Sequence, residues 1–131
     1  MADDFDAYLA ELPDKLREHL SEVVHEQAQL LSDAQRQALQ ALEQAPEETG
    51  HLEASCVVVP GENDLEWLVQ AGGELTTGDV RGGSGVPYDH ALAFEFGNSR
   101  QQARPFFYPT YHAMRDQMQE AIDEAVNEVL T

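Results

Sequence analysis

The sequence has 131 residues, which is enough for one domain with a modest core. Its 25 Asp and Glu residues outnumber seven Lys and Arg residues and give a formal net charge of −18. Proteins that bind nucleic acid present a basic stripe to the phosphates, so this balance argues against direct binding of a DNA or RNA backbone.

The N-terminus, Met-Ala-Asp-Asp-Phe-Asp, is acidic and lacks the basic-then-apolar order of a signal peptide. No apolar run approaches the roughly 18 residues of a membrane span. We therefore expect a soluble protein that acts without secretion and without a membrane. The single Cys56 lies in an apolar stretch and is predicted to be a small buried hydrophobe.

The first part of the chain predicts two helices. Residues 3–12 carry Phe5, Tyr8, Leu9 and Leu12 at helical spacing, which indicates a short helix that Pro13 ends. A long amphipathic helix is predicted over about residues 14–44, with Pro46 and Gly50 as its stop signals. Its apolar stripe consists of Leu16, Leu20, Val23, Val24, Leu31, Ala34, Ala38 and Leu42.

A β-hairpin is predicted next. Apolar residues alternate from His51 to Val59, the turn residues Pro60 to Asp64 follow, and 65–70 reads as a second strand.

Residues 72–86 then hold six of the nine glycines. A loop of this length is usually functional or disordered, so we expect it to be mobile in isolation or to become ordered against a partner subunit. The loop residues of interest are Gly72, Gly73, Arg81, Gly82, Gly83 and Gly85.

Residues 88–109 predict a strand, a turn and a basic hinge. Leu92, Phe94 and Phe96 alternate with Ala91, Ala93 and Glu95, the pattern of a half-buried strand from 90 to 96. Glycine and asparagine tolerate positive φ, so Gly97 and the residues after it predict a tight exit. The candidate interface and hinge residues are Glu95, Phe96, Gly97, Arg100, Arg104, Pro105, Phe106, Phe107 and Pro109.

Glu95 precedes the Gly97 turn, and two arginines, Arg100 and Arg104, follow it. An Arg–carboxylate pair suits either a fixed hinge within one chain or a contact between subunits. Both remain open at this point.

The chain ends in a second amphipathic helix, predicted over residues 111–130, with Pro109 suited to its first turn. The predicted fold is therefore α+β: a single domain over 1–131, with about three antiparallel strands packed with a long N-terminal helix and a C-terminal amphipathic helix.

The sequence offers little for catalysis or for a cofactor. Glu22-x-x-His25 has the spacing of carboxylate-bridged metal sites, but that site needs a second such motif on a facing helix, and Glu48-x-x-His51 lies across a predicted helix stop. Ser84 beside Asp89-His90 lacks a Gly-x-Ser-x-Gly elbow. We expect no enzyme, no cofactor and no metal site.

Three blocks of sequence carry a resemblance to a known family. They are Pro46-x-x-Thr49-Gly50-x-Leu52, then Tyr88-x-x-x-x-x-Phe94-Glu95-Phe96-Gly97-x-Ser99, and then Ala103-Arg104-Pro105-Phe106-Phe107-x-Pro109. From about residue 13 to 130 the chain resembles the neck or tail-completion (minor tail-component) proteins of long-tailed bacteriophages. It departs from them in Tyr111, where a small residue is usual, and in its glycine-rich loop.

This resemblance implies a structural virion protein of the head–tail junction, assembled in the bacterial cytoplasm. Its partners would be further copies of itself in a sixfold or twelvefold ring, the head–tail connector or stopper, and the tail terminator or tube. DNA would pass through without specific binding. It also implies that Glu95, Phe96 and Gly97 shape the strand exit, while Arg104, Pro105, Phe106 and Pro109 seat the last helix.

An alternative of a different class is an acidic protein that mimics the charge of DNA and inhibits a host DNA-binding protein. It would predict clustered carboxylates and a stable small oligomer.

Overall fold

The computed structural model describes residues 14–45, 48–79 and 87–130, so the predicted helix 3–12 and the stop at Pro46 lie outside the described residues. The fold is α+β, as predicted. The elements in order are α1 (Asp14–Ala41), α2 (Gly50–Ala54), β1 (Val57–Pro60), β2 (Trp67–Gln70), a 3-10 turn (Glu74–Thr76), β3 (Thr77–Asp79), β4 (Pro87–Asp89), α3 (His90–Phe96) and α4 (Tyr108–Leu130).

The two long helices are confirmed and pack against each other. At the start of α1, Leu16 and Leu20 are buried against Ala125 of α4, and Ile122 and Val126 pack around them. Apolar residues at three- and four-residue steps on both helices face this contact. The first helix ends at Ala41 rather than near residue 44, and the last begins at Tyr108 with Pro109 in its first turn.

A second core cluster joins the end of α1 to the hinge. Leu39, Leu52, Cys56, Phe94 and Phe106 are buried together. Fully burying a leucine or phenylalanine side chain contributes about 1.5–3 kcal/mol, so this cluster holds α2 and α3 against α1. Cys56 is fully buried, as predicted, and the burial raises the pKa of its thiol.

The hairpin prediction is confirmed for β1 and β2. Their antiparallel register pairs Val57 with Gln70 and Pro60 with Trp67. Gly61 N–H donates to Glu66 O at 2.8 Å, so Gly61 and Glu66 form a hydrogen-bonded pair. Hydrogen-bonded and non-hydrogen-bonded pairs alternate along an antiparallel ladder, so the next pair, Pro60 and Trp67, is a non-hydrogen-bonded one. The missing N–H of the proline therefore costs the hairpin no bond.

The strand predicted over 51–59 is wrong in its first half. Residues Gly50–Ala54 form α2 instead, in which Glu53 N–H donates to Thr49 O at 2.7 Å. Leucine, glutamate and alanine are good helix formers, and Leu52 reaches the core as part of a helix. Only the β-branched run that begins at Val57 forms a strand.

The strand predicted over 90–96 is also wrong, because these residues form the helix α3. The Asp89 carboxylate accepts a hydrogen bond from Ala91 N–H and caps the helix. In two helical turns Leu92 and Phe96 share an exposed side, while Phe94 is buried. So short an apolar run fits both a period of 2 and one of 3.6.

The described residues contain two separate two-stranded ladders rather than one sheet of about three strands. The second ladder joins β3 to β4 and pairs Thr77 with Asp89. Part of the predicted long loop is thus ordered structure, since it includes the 3-10 turn and β3.

The core assignment predicts different effects for two leucines of α1. Leu39→Ala empties a fully buried site and should lower the free energy of unfolding by about 2–5 kcal/mol. Leu30→Ala changes an exposed leucine of the same helix and should stay within about 0.5 kcal/mol of the parent. Urea denaturation followed by circular dichroism measures both, and equal losses would contradict this core.

Candidate subunit interface at the hinge

The hinge, residues 97–107, joins α3 to α4, and Glu95 holds it in place. This carboxylate is 7% exposed and accepts hydrogen bonds from the backbone N–H groups of Phe106 and Phe107 at 2.9 Å and of Tyr108 at 3.2 Å. The first N–H groups of a helix have no partner within the helix and carry a partial positive charge. Glu95 therefore supplies an anion at the start of α4.

The expected pairing of Glu95 with Arg104 within one chain is wrong, while a pair between subunits stays a prediction. Arg104 donates instead to Glu48 Oε1 at 2.5 Å and to Leu42 O at 3.0 Å. Its guanidinium carbon also lies 4.1 Å from the centroid of the Phe94 ring, a cation–π arrangement. Arg104 thus ties the hinge to the chain just after α1.

Glu48 is the acidic partner in this contact. The hydrogen bond from Arg104, with further bonds from Gln44 N–H and Ala45 N–H, lowers the pKa of Glu48 to about 2. The carboxylate is therefore charged over the whole neutral and mildly acidic range.

Gly97 makes the turn out of α3, as predicted. Its φ is +75°, a conformation that favours glycine. A Cβ built there would lie 2.7 Å from the Ala103 nitrogen, so the returning backbone also excludes a side chain. Asn98 Oδ1 then accepts from Arg100 N–H and Gln101 N–H and closes the turn.

Three large side chains of α3 and α4 are exposed next to the hinge, and we call them the hinge surface. Leu92 is 60% exposed, Phe96 62% and Tyr108 49%. The rings of Phe96 and Tyr108 lie 6.0 Å apart. A cluster of exposed apolar groups usually marks an interaction site, so the structure makes this a candidate protein–protein interface.

The other predicted hinge residues divide into anchors and exposed positions. Phe106 is fully buried and meets Phe94 edge to face at 5.9 Å, and Phe107 is half-buried. Arg100, Pro105 and Pro109 are exposed. The exposed group is the more accessible to a partner.

The glycine-rich loop is described over residues 72–79. Gly72 N–H donates to Ser55 Oγ at 2.8 Å and Gly73 N–H to Asp89 Oδ2 at 3.1 Å, both with φ above +90°. The two glycines are therefore fastened to the fold. The other predicted loop residues, Arg81, Gly82, Gly83 and Gly85, lie outside the described residues.

Asp89 is a central residue that sequence reasoning missed. Its carboxylate accepts from Thr76 Oγ1 at 2.5 Å, from Gly73 N–H and from Ala91 N–H. Desolvation opposes the effect, but these hydrogen bonds lower the pKa of Asp89. The signal was available, because an aspartate directly before a helix-forming run is typical of an N-cap.

Of the residues considered for metal binding and catalysis, Ser84 lies outside the described residues. His25 stacks on Trp67, with ring centroids 3.8 Å apart. Within 14–45, 48–79 and 87–130, no three His, Cys, Asp or Glu side chains come together as metal ligands. Over the same residues, no helix has both the length and the apolar character that crossing a bilayer requires.

The Glu95 contacts predict a specific loss of stability. Glu95→Ala leaves three N–H groups at the start of α4 without their acceptor and should lower the free energy of unfolding by about 1–3 kcal/mol. Glu124→Ala, at an exposed position of α4, should change it by less than about 0.5 kcal/mol. If chemical denaturation gave both variants the parent's stability, Glu95 would not hold the hinge.

The lowered pKa of Glu48 predicts a pH dependence. A carboxyl group whose pKa is lower in the folded state stabilises the fold above its unfolded pKa, and this stability is lost as the pH falls. The Glu48 contribution should thus be complete above the ordinary value of 4.5 and should disappear between there and about pH 2.

Denaturation midpoints of the parent and of Glu48→Gln, measured from pH 7 down to pH 2, test this. The difference between the two should shrink on acidification, and Arg104→Gln should remove much of the same dependence. A difference that stays constant with pH would refute the contact.

Comparison with known proteins assigns no family to this chain. No protein-family model, no curated protein and no solved structure matches it.

Proposed function

We propose that this protein is a structural subunit of the head–tail junction of a long-tailed bacteriophage. It would form a sixfold or twelvefold ring that joins the tail to the head connector and lets DNA pass. The observation that carries the proposal is the hinge surface: Leu92, Phe96 and Tyr108 are exposed together on a support that internal hydrogen bonds hold in place.

The chemistry of the hinge surface favours a protein partner. Its three side chains are apolar or aromatic, whereas the chain as a whole carries a charge of −18. Aromatic residues are enriched at protein–protein interfaces, and charged residues are depleted from their centres. Burial on assembly would remove this apolar area from water at about 25 cal/mol per Å².

A support of fixed shape also suits a ring. A closed ring needs a heterologous interface, in which one surface of each copy meets a different surface of the next. Small changes in the angle between copies would prevent closure, so the clamp by Glu95 and the tie by Arg104 would fix the angle at which the hinge surface is presented. Neighbours above and below would be the connector or stopper and the tail terminator or tube.

The charge suits a passage for DNA. The exposed acidic residues of α4 are Asp116, Glu120, Asp123, Glu124 and Glu128. If this helix faces the lumen, its carboxylates would repel the phosphates and keep DNA from adhering. A neutral or basic channel in an assembled ring would refute this part of the proposal.

The first test is absolute mass by light scattering over a wide concentration range, with negative-stain imaging of the largest species. A closed ring of six or twelve copies is the expected result, either alone or after connector complexes or tail tubes are added. The proposal would be overturned by a stable small oligomer that binds neither connector complexes nor tail tubes but does bind a host DNA-binding protein. That result would favour the acidic inhibitor.

The hinge surface also predicts the effect of a single substitution. Phe96→Asp changes a largely exposed side chain, so the monomer should fold with nearly unchanged stability while ring formation or template binding is lost. Leu75→Asp is the matched control, because it adds the same charge at an exposed leucine outside the hinge surface. Equal assembly by both variants, measured by light scattering, would show that the hinge surface is not an interface.

A further inference from the structure

A second surface, which shares Tyr108 with the hinge surface, lies between the two long helices. This groove, of about 450 Å³, runs between α1 and α4 and is bordered by Trp67 and Val69 of β2. Its apolar lining includes Val24, Ala28, Leu31, Tyr111, Met118 and Ile122. Two helix faces of this kind, which no other described residue covers, suit a third helix.

The charge of the groove is unlike that of the chain. Among the described residues that line it there is no Asp or Glu, and Arg115 is its one charged side chain. Arg115 Nε lies 3.9 Å from Oδ1 of its exposed neighbour Asp116, which makes this a long ion pair. In a chain with 25 acidic and seven basic residues, this makes the groove the natural place for an acidic segment.

Among the described residues of the lining, two buried polar atoms lack hydrogen-bond partners. Gln35 is 1% exposed, and its Nε2 donates to Phe107 O at 2.9 Å, but its Oε1 has no donor. Trp67 Nε1 is likewise buried without an acceptor. Buried polar groups are rarely left unpaired. An occupant of the groove that brings one donor and one acceptor would satisfy both atoms.

Residues 1–12 have the chemistry that these features require. Phe5, Tyr8, Leu9 and Leu12 form one apolar stripe at helical spacing, and the segment carries four acidic residues and no basic one. Carboxylates of this segment would pair with Arg115 and accept a hydrogen bond from Trp67 Nε1. Tyr8 is the segment's one uncharged side chain with a hydrogen-bond donor, which Gln35 Oε1 lacks.

The distances favour docking between copies over docking within one chain. The groove spans α1 from Val24 to Gln35, which at 1.5 Å per residue is about 15 to 32 Å from the start of α1 at Asp14. A ten-residue helix over 3–12 is only about 15 Å long. If residues 3–12 are helical, as their spacing predicts, this segment folded back along its own α1 would reach only the near end of the groove, whereas the same segment of another copy can lie along it.

We propose that residues 1–12 of one copy dock as an amphipathic helix in the groove between α1 and α4 of the next copy. The contact is heterologous, so repeated copies can close into a ring. It deepens the proposed function and rests on it for the ring, although the contact itself can be measured without one.

Cross-linking in the full-length chain tests this contact directly. Leu9→Cys and Gln119→Cys are made in separate chains, since Gln119 lines the groove and is exposed. The native Cys56 is fully buried and does not compete. Mixing the two chains under mild oxidation at high concentration should give the mixed disulfide dimer as the main product. Gln102→Cys, an exposed glutamine outside the groove, is the matched control and should give little of it.

A charge swap identifies the face of the contact. Arg115→Glu in the groove chain should lower the yield of mixed dimer by about two- to fivefold, the range for an exposed ion pair. Asp6→Arg in the other chain should restore it. Lys15→Glu, at an exposed basic residue outside both the groove and the hinge, should leave it unchanged.

Two outcomes would overturn the inference. One is equal cross-linking at Gln119 and Gln102. The other is a chain with both Leu9→Cys and Gln119→Cys that closes efficiently on itself while the mixture of single variants gives no dimer, which would mean docking within one chain. If either of these two results is found and full-length rings still form, the proposed function stands without this contact.

If the mixed dimer forms but no ring does, even with templates, the contact stands and the proposed function fails.

Discussion

The placement of the last helix depends on one buried carboxylate. Glu95, at the end of a seven-residue helix, accepts the first three N–H groups leading into the 23-residue helix α4. An anion at a helix start satisfies donors that have no partner in the helix and meets its dipole favourably. Because α4 packs along α1, this local contact also fixes the side of the groove that α4 supplies.

The sequence predicted what long periodicity can determine. The 28 residues of α1 and the 23 of α4 repeat their apolar positions often enough to exclude a strand. Residues 90–96 are too few for this, since their seven-residue pattern fits both the strand period of 2 and the helix period of 3.6. The signal that decides for a helix is the N-cap residue Asp89. The wrong strand then placed Glu95 beside the arginines, whereas in a helix it turns toward the backbone of α4. Positions such as Glu48 and Gln35, whose partners lie 56 and 72 residues away, could not be found by local reasoning.

The two surfaces differ in how they would be used. The hinge surface is apolar, raised and held by hydrogen bonds, and it suits a partner that arrives with its own complementary shape. The groove is apolar, recessed and free of carboxylates among its described lining residues, and it suits a segment rich in them. If copies of this acidic chain do associate, such a difference in charge would favour the approach of an acidic segment to the groove over its approach to an acidic face.

Pro60 has a consequence for the free edge of the hairpin. In a non-bonded pair its nitrogen points away from β2, so the outer edge of β1 lacks a donor at that position. An unbroken row of amides along a free strand edge is a template for aggregation, and proline is one way in which natural proteins interrupt it. Pro60 therefore weakens the β1 edge as a template for cross-β stacking, which limits one route to aggregation at high protein concentration.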